Sequence, residues 1–193
     1  MIRIALESDL ERMLQIYSPY VENTTASFEY VPPSAEAFAT RFRHITERFP
    51  WIVWEEDGLV LGYAYASAPF ERAAYSWCCE PSIYLAPEAH RRGIGRKLYA
   101  ALEEVLRRQG FRVSYAVVTG ENQASIDFHE AVGYKFLAEF PKCGFKAGRW
   151  LSIVWLEKDL NSVEISSKMP LPWMAIVKDN KKLCDILADL SLS

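Results

Sequence analysis

The sequence predicts one α/β domain built on a mixed sheet, and three observations support that prediction. Segments with strand character alternate irregularly with segments of helical periodicity through residues 1–160. Apolar runs joined by short polar turns indicate hairpins at both ends of this region. A chain of 193 residues, half of them hydrophobic, is long enough to bury one complete core. We therefore expect a central twisted sheet with helices on both faces.

The composition argues against several functional classes. A net charge of -3 and 24% charged residues are ordinary for a soluble globular protein. No run of 18 apolar residues is present, so we expect no membrane contact. The first residues contain no apolar signal core, which predicts a cytoplasmic protein. The four cysteines have neither metal-ligand spacing nor the density of a disulfide scaffold, and with three histidines in the chain we expect no metal site.

Residues 1–66 predict a strand, two helices and a hairpin. Ile2, Ile4 and Leu6 alternate with polar or small residues and indicate the first strand. Residues 8–11 have the pattern of a capping box and begin a helix, which Pro19 is predicted to kink or split. The predicted apolar face of this helix consists of Leu10, Leu14, Tyr17 and Val21.

A second helix and the hairpin follow. Ser34 is placed to cap the helix. The predicted apolar face of this helix consists of Phe38, Phe42, Ile45 and Phe49. Residues 51–54 and 59–66 are apolar runs joined through Glu56-Asp57-Gly58, which is a hairpin signal.

Residues 76–85 predict a strand that is locally separated from a neighbour. Pro81 lies inside this strand and has no N–H group, which indicates a bulge or an unpaired position. A strand separated in this way exposes backbone N–H and C=O groups to a ligand. Such groups at Ile83, Tyr84 and Leu85 are suitable for binding a ligand or stabilising a developing oxyanion.

Residues 85–110 are the most informative stretch of the chain. Ile94, Leu98 and the apolar residues that follow recur at helical spacing, and Gly110 marks the end of the helix. Free N–H groups at a helix start bind anions, and Gly93 and Gly95 leave room for close approach. Four cations surround this start, namely Arg91, Arg92, Arg96 and Lys97. Because this basicity is local, it favours a small phosphorylated ligand such as a pyrophosphate over nucleic acid; the alternative is an ordinary strand–turn–helix with solvated arginines.

The rest of the domain is predicted to contain two strands and a short helix. Residues 111–118 and 150–158 are apolar runs with strand character, the second preceded by a turn at 143–148. Between them, residues 123–132 predict a helix. The spacing of Asn122, Ser125 and His129 places all three on one face of that helix.

Residues 161–193 are predicted to be a C-terminal extension of the 1–160 domain. Residues 161–168 are a polar linker, and residues 170–173 have an extended, proline-rich pattern. Residues 182–192 predict a short amphipathic helix with Leu183, Ile186, Leu187 and Leu190 on its apolar face. A lone helix of this length is unstable in water, so it must dock on its own domain or on a partner subunit.

Several short motifs resemble the GNAT acetyltransferase superfamily. Residues 90–95, His-Arg-Arg-Gly-Ile-Gly, resemble its acyl-CoA motif Gln/Arg-x-x-Gly-x-Gly/Ala, with His90 as the departure. Residues 122–134 resemble its Asn-x-x-Ala/Ser-x-x-x-Tyr-x-x-x-Gly-Phe/Tyr pattern, with His129 in place of the tyrosine. His129-Glu130 and residues 144–151, Gly-Phe-Lys-Ala-Gly-Arg-Trp-Leu, are similar to the phosphinothricin N-acetyltransferase type, although Ser152 replaces an expected Asp.

The resemblance implies roles for the cofactor-binding residues. The loop amides and cations of residues 91–96, Arg91-Arg92-Gly93-Ile94-Gly95-Arg96, would hold the pyrophosphate of acetyl-CoA. Asn122 would bond the pantetheine arm, and Ser125 is a second candidate for that contact.

The predicted roles of the catalytic and acceptor-binding residues rest partly on this resemblance. Glu80 is the candidate base, since partial burial raises a carboxyl pKa, with a surface carboxylate as the alternative. His129 is the candidate acid for the departing thiolate, with a structural histidine as the alternative. An arginine at Arg72 suits the carboxylate of an amino acid. The remaining acceptor-binding candidates are Phe28, Glu29 and Tyr75.

These residues together predict an N-acetyltransferase for a small amino-acid-like amine. The resemblance implies phosphinothricin, methionine sulfoximine or methionine sulfone as acceptors, and a homodimer. Direct attack is expected rather than a cysteine relay, because no cysteine lies beside an activating histidine in the sequence. The alternatives are another acceptor (a polyamine, an aminoglycoside or a protein N-terminus) and a non-catalytic acyl-CoA-binding module.

Overall fold

A computed structural model describes residues 1–161 and 168–178, and it shows a seven-stranded mixed sheet. The strands are β1 Ile2–Ile4, β2 Trp51–Glu56, β3 Leu59–Ser67, β4 Cys78–Leu85, β5 Val113–Thr119, β6 Lys135–Lys146 and β7 Arg149–Asp159. The described helices are α1 Leu10–Asn23, α2 Ala35–Thr46, α3 Ile94–Gln109, α4 Gln123–Ala131 and α5 Trp173–Lys178. None of these helices has the length and apolar character needed to cross a bilayer.

The sheet consists of two antiparallel halves joined by one short parallel contact. The strand order is β1-β2-β3-β4-β5-β7-β6. β4 and β5 run parallel, and their pairing is limited to Cys78↔Val113 and Cys79↔Ser114. The two strands then separate, so the sheet opens just before Glu80. The predicted mixed sheet and the predicted separation of this strand are both confirmed.

Helices cover both faces of the sheet, as predicted. Strand β2 has buried side chains on both faces of the sheet. Trp51 and Val53 point to one face, and Ile52 and Trp54 point to the other. Helices α1 and α2 pack on the first face and α3 packs on the second. An apolar run buried on both faces is what places the sheet in the middle layer.

The hairpin and cap signals of the sequence are confirmed. Asp57 and Gly58 have φ angles of 50° and 76°, which two-residue hairpin turns of type I′ require. The Ser34 hydroxyl accepts a hydrogen bond from the Ala37 N–H at 3.1 Å and caps α2. Gly110, with φ 95°, ends α3.

The start of α1 differs from the prediction. Residues 7–9 form a 3₁₀ turn, so Asp9 rather than Ser8 precedes α1, and the Asp9 side chain does not cap that helix but accepts the Leu6 N–H at 2.8 Å. Arg3 binds the same carboxylate, which explains the choice of Asp9. The helix also continues through Pro19 without a break. The buried face of α1 consists of Met13, Ile16, Tyr17 and Val21. Leu10 and Leu14, which were predicted to belong to this face, are only partly buried.

Strand β6 was not predicted from the sequence. Nearly every residue of this strand is exposed or half-buried, so it lacks the apolar alternation that marks a strand. Its pairing with β7 is irregular between Phe140 and Gly144, and the turn is confined to Ala147 and Gly148. The predicted turn at residues 143–148 was therefore too long.

Residues 168–178, which lie beyond β7, pack against the sheet and α3. Residues 173–178 form helix α5, so Trp173 is helical rather than extended. The Trp173 ring is 5% exposed and packs in the same core cluster as Phe49 and Phe111, and its Nε1–H donates to the Thr46 carbonyl at 2.6 Å. The predicted helix at 182–192 lies outside the described residues.

A truncation of Trp173 tests the contribution of this packing. Trp173→Ala is expected to lower the free energy of unfolding by about 3–5 kcal/mol, because a large buried ring and its hydrogen bond are lost. Urea denaturation measures the change. Met174→Ala, at a neighbouring exposed position, is the control and is expected to change stability by less than about 0.5 kcal/mol. Equal effects of the two variants would contradict the docking of this segment.

Candidate active site

A cleft lies where β4 and β5 separate. The cavity has a volume of about 550 Å³. One wall is the open end of β4, and the other is formed by the end of β5 and by α4. The predicted site residues that line the cavity are Phe28, Glu80, Ile83, Tyr84, Leu85, Gly95, Asn122, Ser125 and His129. The cavity therefore gathers residues from both halves of the sheet.

The backbone of β4 presents alternate residues to this cleft. Ala66 of β3 lies opposite Pro81 of β4. The Ala66 N–H donates to the Pro50 carbonyl, which lies on the side away from β4, so Ala66 and Pro81 form a pair without hydrogen bonds between them. By the same alternation, Pro81, Ile83 and Leu85 direct their backbone groups to the cleft. Pro81 thus costs the sheet no hydrogen bond, as its predicted unpaired position requires. The backbone groups of Tyr84 instead point to β3. The prediction that the Tyr84 N–H donates into the cleft was therefore wrong.

Tyr20 covers the backbone of Leu85 at one end of the cleft. Its hydroxyl donates to the Leu85 carbonyl at 2.6 Å and lies 3.3 Å from the Leu85 N–H. The His90 Nε2 atom lies 3.1 Å from the same hydroxyl oxygen. His90, the departure from the family motif, is therefore part of a polar cluster that borders the cleft.

The start of α3 has the geometry of an anion site. Gly93, with φ 77°, turns the chain into the helix, and the Lys97 N–H is the first to bond back, to the Gly93 carbonyl. The N–H groups of Ile94, Gly95 and Arg96 precede that bond and lack intrahelical partners. Among the residues that the structure describes, and apart from its two chain neighbours, no atom lies within 4 Å of a Cβ placed on Gly93. A negatively charged group can thus approach these N–H groups closely.

The cations near this helix start differ in their surroundings. Arg91 and Arg96 are exposed. Arg92 forms an ion pair with Glu56 at 2.7 Å and lowers the pKa of that carboxyl. Lys97 lies over the Trp54 ring, 5.6 Å from its centroid. The predicted positive patch exists, and Glu56 partly neutralises it.

Glu80 lies at the point where the sheet opens. It belongs to β4 and lines the cleft, one residue after the last pair with β5. Burial raises the pKa of its carboxyl. A carboxylate with a raised pKa is a stronger base than a solvated one, which suits proton removal from an amine.

His129 is held on both ring nitrogens. Its Nδ1 donates to the Ser125 carbonyl at 2.7 Å, so its Nε2 accepts from the Tyr99 hydroxyl at 2.6 Å. The ring is 4% exposed, and burial lowers its pKa. A neutral imidazole with this tautomer has no proton directed at the cleft. This geometry argues against the predicted role of His129 as the acid for a departing thiolate.

The tautomer of His129 can be measured directly. We expect ¹⁵N NMR of the imidazole to show a neutral ring protonated on Nδ1 at pH values near and somewhat below the usual histidine pKa of about 6.5. Burial favours the neutral form, so the folded-state pKa lies below that value. In Tyr99→Phe, the Nε2 resonance should shift because its hydrogen-bond donor is lost. A ring that titrates at or above the usual value would contradict this assignment.

Asn122 and Ser125 connect α4 to the cleft. The Asn122 side-chain oxygen accepts the Ser125 N–H at 3.2 Å and caps α4. Its amide NH₂ group remains as a donor for a ligand. The three residues that the sequence places on one face of α4 all line the cavity.

Of the four residues predicted to bind the acceptor, one lines the cleft and three do not. Phe28 lines the cleft. Glu29 does not; its carboxylate forms an ion pair with Arg41 and accepts the Tyr17 hydroxyl at 2.9 Å. Arg72 and Tyr75 are exposed residues of the loop before β4 and are absent from the cavity lining.

The geometry disfavours Cys79 as a nucleophile. Cys79 precedes Glu80, is fully buried, and burial raises the pKa of its thiol to about 12. A thiol with that pKa is almost wholly protonated near neutral pH. Within the described residues, no cluster of three or more His, Cys, Asp or Glu side chains could hold a metal ion.

Sequence reasoning missed two residues of the site, Tyr20 and Tyr99. Tyr99 lies on the apolar face of α3 and is fully buried. A hydroxyl on such a face needs a partner, which is a usable signal. Tyr20 reaches Leu85, which is 65 positions away, and no local pattern indicates that contact.

Comparison with known proteins agrees with this geometry. The family described as "Acetyltransferase (GNAT) domain" matches residues 2–155. The phosphinothricin N-acetyltransferase of Alcaligenes faecalis is 36% identical over 165 residues, which are 83% of this chain and 83% of that protein. The L-methionine sulfoximine/L-methionine sulfone acetyltransferase of Pseudomonas aeruginosa is 35% identical over 167 residues, which are 83% of this chain and 94% of that protein.

A solved structure is similar to this chain in both fold and sequence. The phosphinothricin acetyltransferase (Pat) of Sinorhizobium meliloti, in complex with AcCoA, matches with a TM-score of 0.82 and 39% sequence identity. The match covers 88% of this chain and 92% of that one. The family match runs from β1 into β7 and includes α3 and the residues that line the cleft. On this evidence the chain belongs to the GNAT acetyltransferase family.

Proposed function

We propose that this protein transfers the acetyl group of acetyl-CoA to the amine of a small amino-acid-like acceptor. One observation carries the proposal. A single cleft joins an open strand edge and a helix N-terminus, which suit the donor, to the half-buried carboxylate of Glu80, whose raised pKa suits deprotonation of an amine. A non-catalytic acyl-CoA-binding module would have no need of such a base.

The donor is proposed to lie along β4. Its pyrophosphate would accept from the N–H groups at the start of α3, with Arg91 and Arg96 beside it. Its pantetheine arm would extend toward Glu80 beside the cleft-facing groups of β4 and the Asn122 amide. The open part of β4, from Glu80 to Leu85, spans about 17 Å. An extended chain pairs with such an edge as an added strand does.

The acceptor amine is proposed to attack the thioester carbonyl carbon directly. Glu80 takes the amine proton, the C–N bond forms and the C–S bond breaks. The Ile83 N–H faces the cleft and is the candidate donor to the oxygen as negative charge develops. The protonated Cys79 thiol supports direct attack over a cysteine relay.

His129 is proposed to be a positioning residue. With Tyr99 it forms a bridge between α3 and α4, the two helices whose N-termini border the cleft. Its Nδ1 bond to the Ser125 carbonyl fixes the first turn of α4, which carries Asn122 as its cap. This bridge would keep the donor-binding groups of the two helices at a constant separation.

The relatives' names suggest phosphinothricin, methionine sulfoximine or methionine sulfone as acceptors. The described lining contains one carboxylate, Glu80, whereas a polyamine or aminoglycoside site needs several acidic groups. Arg72 is our candidate for holding the acceptor carboxylate, because it lies in the loop directly before the strand that carries Glu80.

A thiol-release assay with acetyl-CoA tests this proposal. The panel comprises phosphinothricin, methionine sulfoximine, methionine sulfone, a polyamine, an aminoglycoside and a peptide with a free N-terminus. We expect the highest kcat/KM for the first three compounds. Preference for a cationic acceptor would overturn the acceptor assignment, and absence of release with every amine would support the binding-module alternative.

We also propose that the enzyme is a cytoplasmic homodimer. Four exposed aromatic side chains on β6 and β7, Phe136, Phe140, Phe145 and Trp150, support a protein–protein contact at this edge of the sheet. Sedimentation should give twice the chain mass, and Phe136→Ser with Phe140→Ser should shift it toward the monomer. A wild-type protein that sediments as a monomer at micromolar concentration would contradict the dimer.

A further inference from the structure

The Gly-Phe-Lys motif of the sequence has no part in the proposed chemistry, yet it contacts the cleft wall. Gly144 and Lys146 lie two residues apart near the end of β6, so they share one face of the strand. That face meets the loop between α1 and α2, which carries Phe28. The side chain of Phe28 lines the cleft.

Gly144 leaves the space that the Phe28 ring occupies. A Cβ placed on Gly144 would lie 2.2 Å from Cε2, 2.8 Å from Cδ2 and 2.9 Å from Cζ of that ring. Real side chains never approach this closely. Any other residue at position 144 therefore requires Phe28 to move.

Lys146 fixes the chain immediately before Phe28. Its ammonium donates to the Ser27 carbonyl at 2.6 Å and to the Val21 carbonyl at 2.7 Å. The side chain is buried, at 7% exposure, and burial lowers its pKa. Val21 lies in the last turn of α1, where free carbonyls attract a cation. The lysine thus joins β6, α1 and the loop.

The residue after Phe28 is fixed as well. Glu29 is held by Arg41 of α2 and by the Tyr17 hydroxyl of α1, and that hydroxyl also lies 2.8 Å from Ser27 Oγ. With both neighbours tied down, the position of the Phe28 ring depends on what it rests against, which is Gly144.

We propose that Gly144 and Lys146 are specificity-determining residues of the acceptor site, because together they set the position of the Phe28 ring and so the width of the cleft near the acceptor. The proposal rests on the proposed acetyl transfer to a small amine. It assigns these two residues no contact with the donor, whose binding groups lie on β4, α3 and α4.

A double-mutant cycle tests the first residue. Gly144→Ala should raise KM for methionine sulfoximine by about tenfold, within the range of coupling between residues in contact. KM for acetyl-CoA should change by less than about twofold. In the Phe28→Ala background the same substitution should have little further effect, since the ring that it displaces is absent. Cys143→Ala, at the neighbouring exposed residue, is the control and should match the wild type.

Lys146→Met tests the second residue without altering position 144. It removes the ammonium and keeps the length of the side chain, so Phe28 loses its anchor at Ser27. KM for the acceptor should rise, discrimination between methionine sulfoximine and longer amino acids should fall, and KM for acetyl-CoA should stay constant.

The outcomes separate this inference from the proposed function. Additive effects of Gly144→Ala and Phe28→Ala, or an equal rise in both Michaelis constants, would overturn the inference while wild-type turnover upholds the function. Absence of wild-type turnover with every acceptor would overturn both. Coupled effects confined to the acceptor would support the inference.

Discussion

Glu80→Gln is expected to lower turnover at neutral pH by about 10²–10⁴-fold, the usual contribution of a general base. Glutamine has the shape of glutamate but cannot take the proton of the amine. Initial rates of thiol release measure the loss. Glu139→Gln, on the exposed strand β6, is the control and should leave the rate unchanged.

The pH dependence identifies the role of Glu80. Only the ionised carboxylate acts as a base, and burial raises its pKa above the usual value near 4.5. The wild-type rate should therefore fall as the pH drops through that raised pKa. The glutamine variant should lack this dependence and should recover partly in alkali, where the free amine is more abundant. A deficit of constant size at every pH would contradict Glu80 as the base.

The same pKa shift predicts the stability of the variant. A carboxyl whose folded-state pKa is raised contributes stability below its unfolded pKa, and that contribution is lost as the pH rises through the folded pKa. At neutral pH the half-buried charge of Glu80 is thus unfavourable for the folded state, and glutamine removes it. The Tm of Glu80→Gln should equal or exceed that of the wild type, so loss of activity would not reflect unfolding.

Gly93→Val is expected to weaken acetyl-CoA binding by about ten- to a hundred-fold, the worth of one hydrogen bond to a charged group. Gly93 has φ 77°, which a β-branched residue avoids, and its missing side chain faces open space in front of α3. Valine would both distort the turn and fill the approach to the free N–H groups. Calorimetric titration measures the dissociation constant.

Gly58→Val is a matched control for this variant. Gly58 has φ 76°, and in the described part of the chain a Cβ at this position would also meet no atom within 4 Å beyond its chain neighbours, but Gly58 lies in the β2–β3 hairpin. The backbone strain is therefore similar in the two variants, and both should lose stability. Only Gly93→Val should lose affinity. Similar affinities for acetyl-CoA would show that the start of α3 is not the anion site.

The fold was predictable where a local pattern matched the final packing. The apolar face of α3 and the Asp57-Gly58 turn each follow from spacing or backbone preference within a few residues. Strand β6 was not predictable in this way, because an exposed edge strand carries no apolar alternation. Trp173 was misassigned, since its helix is stabilised by packing on distant residues such as Phe49.

The site residues likewise differ in whether a local sequence pattern predicts them. The anion site and the face of α4 are local motifs, and the sequence predicts their residues. The contacts that shape the cleft join distant positions, Tyr20 with Leu85 and Lys146 with Val21. The role of His129 depended on Tyr99, whose hydroxyl fixes the tautomer. Long-range partners of this kind can be read only from the folded chain.

Acetyl-CoA and the acceptor are proposed to meet in one cleft and to react without an acetyl-enzyme intermediate. Initial rates of thiol release, with acetyl-CoA and methionine sulfoximine both varied, test this mechanism. We expect double-reciprocal lines that intersect, as a ternary complex requires. Parallel lines, the pattern of an acetyl-enzyme intermediate, or no release at any concentration would contradict it.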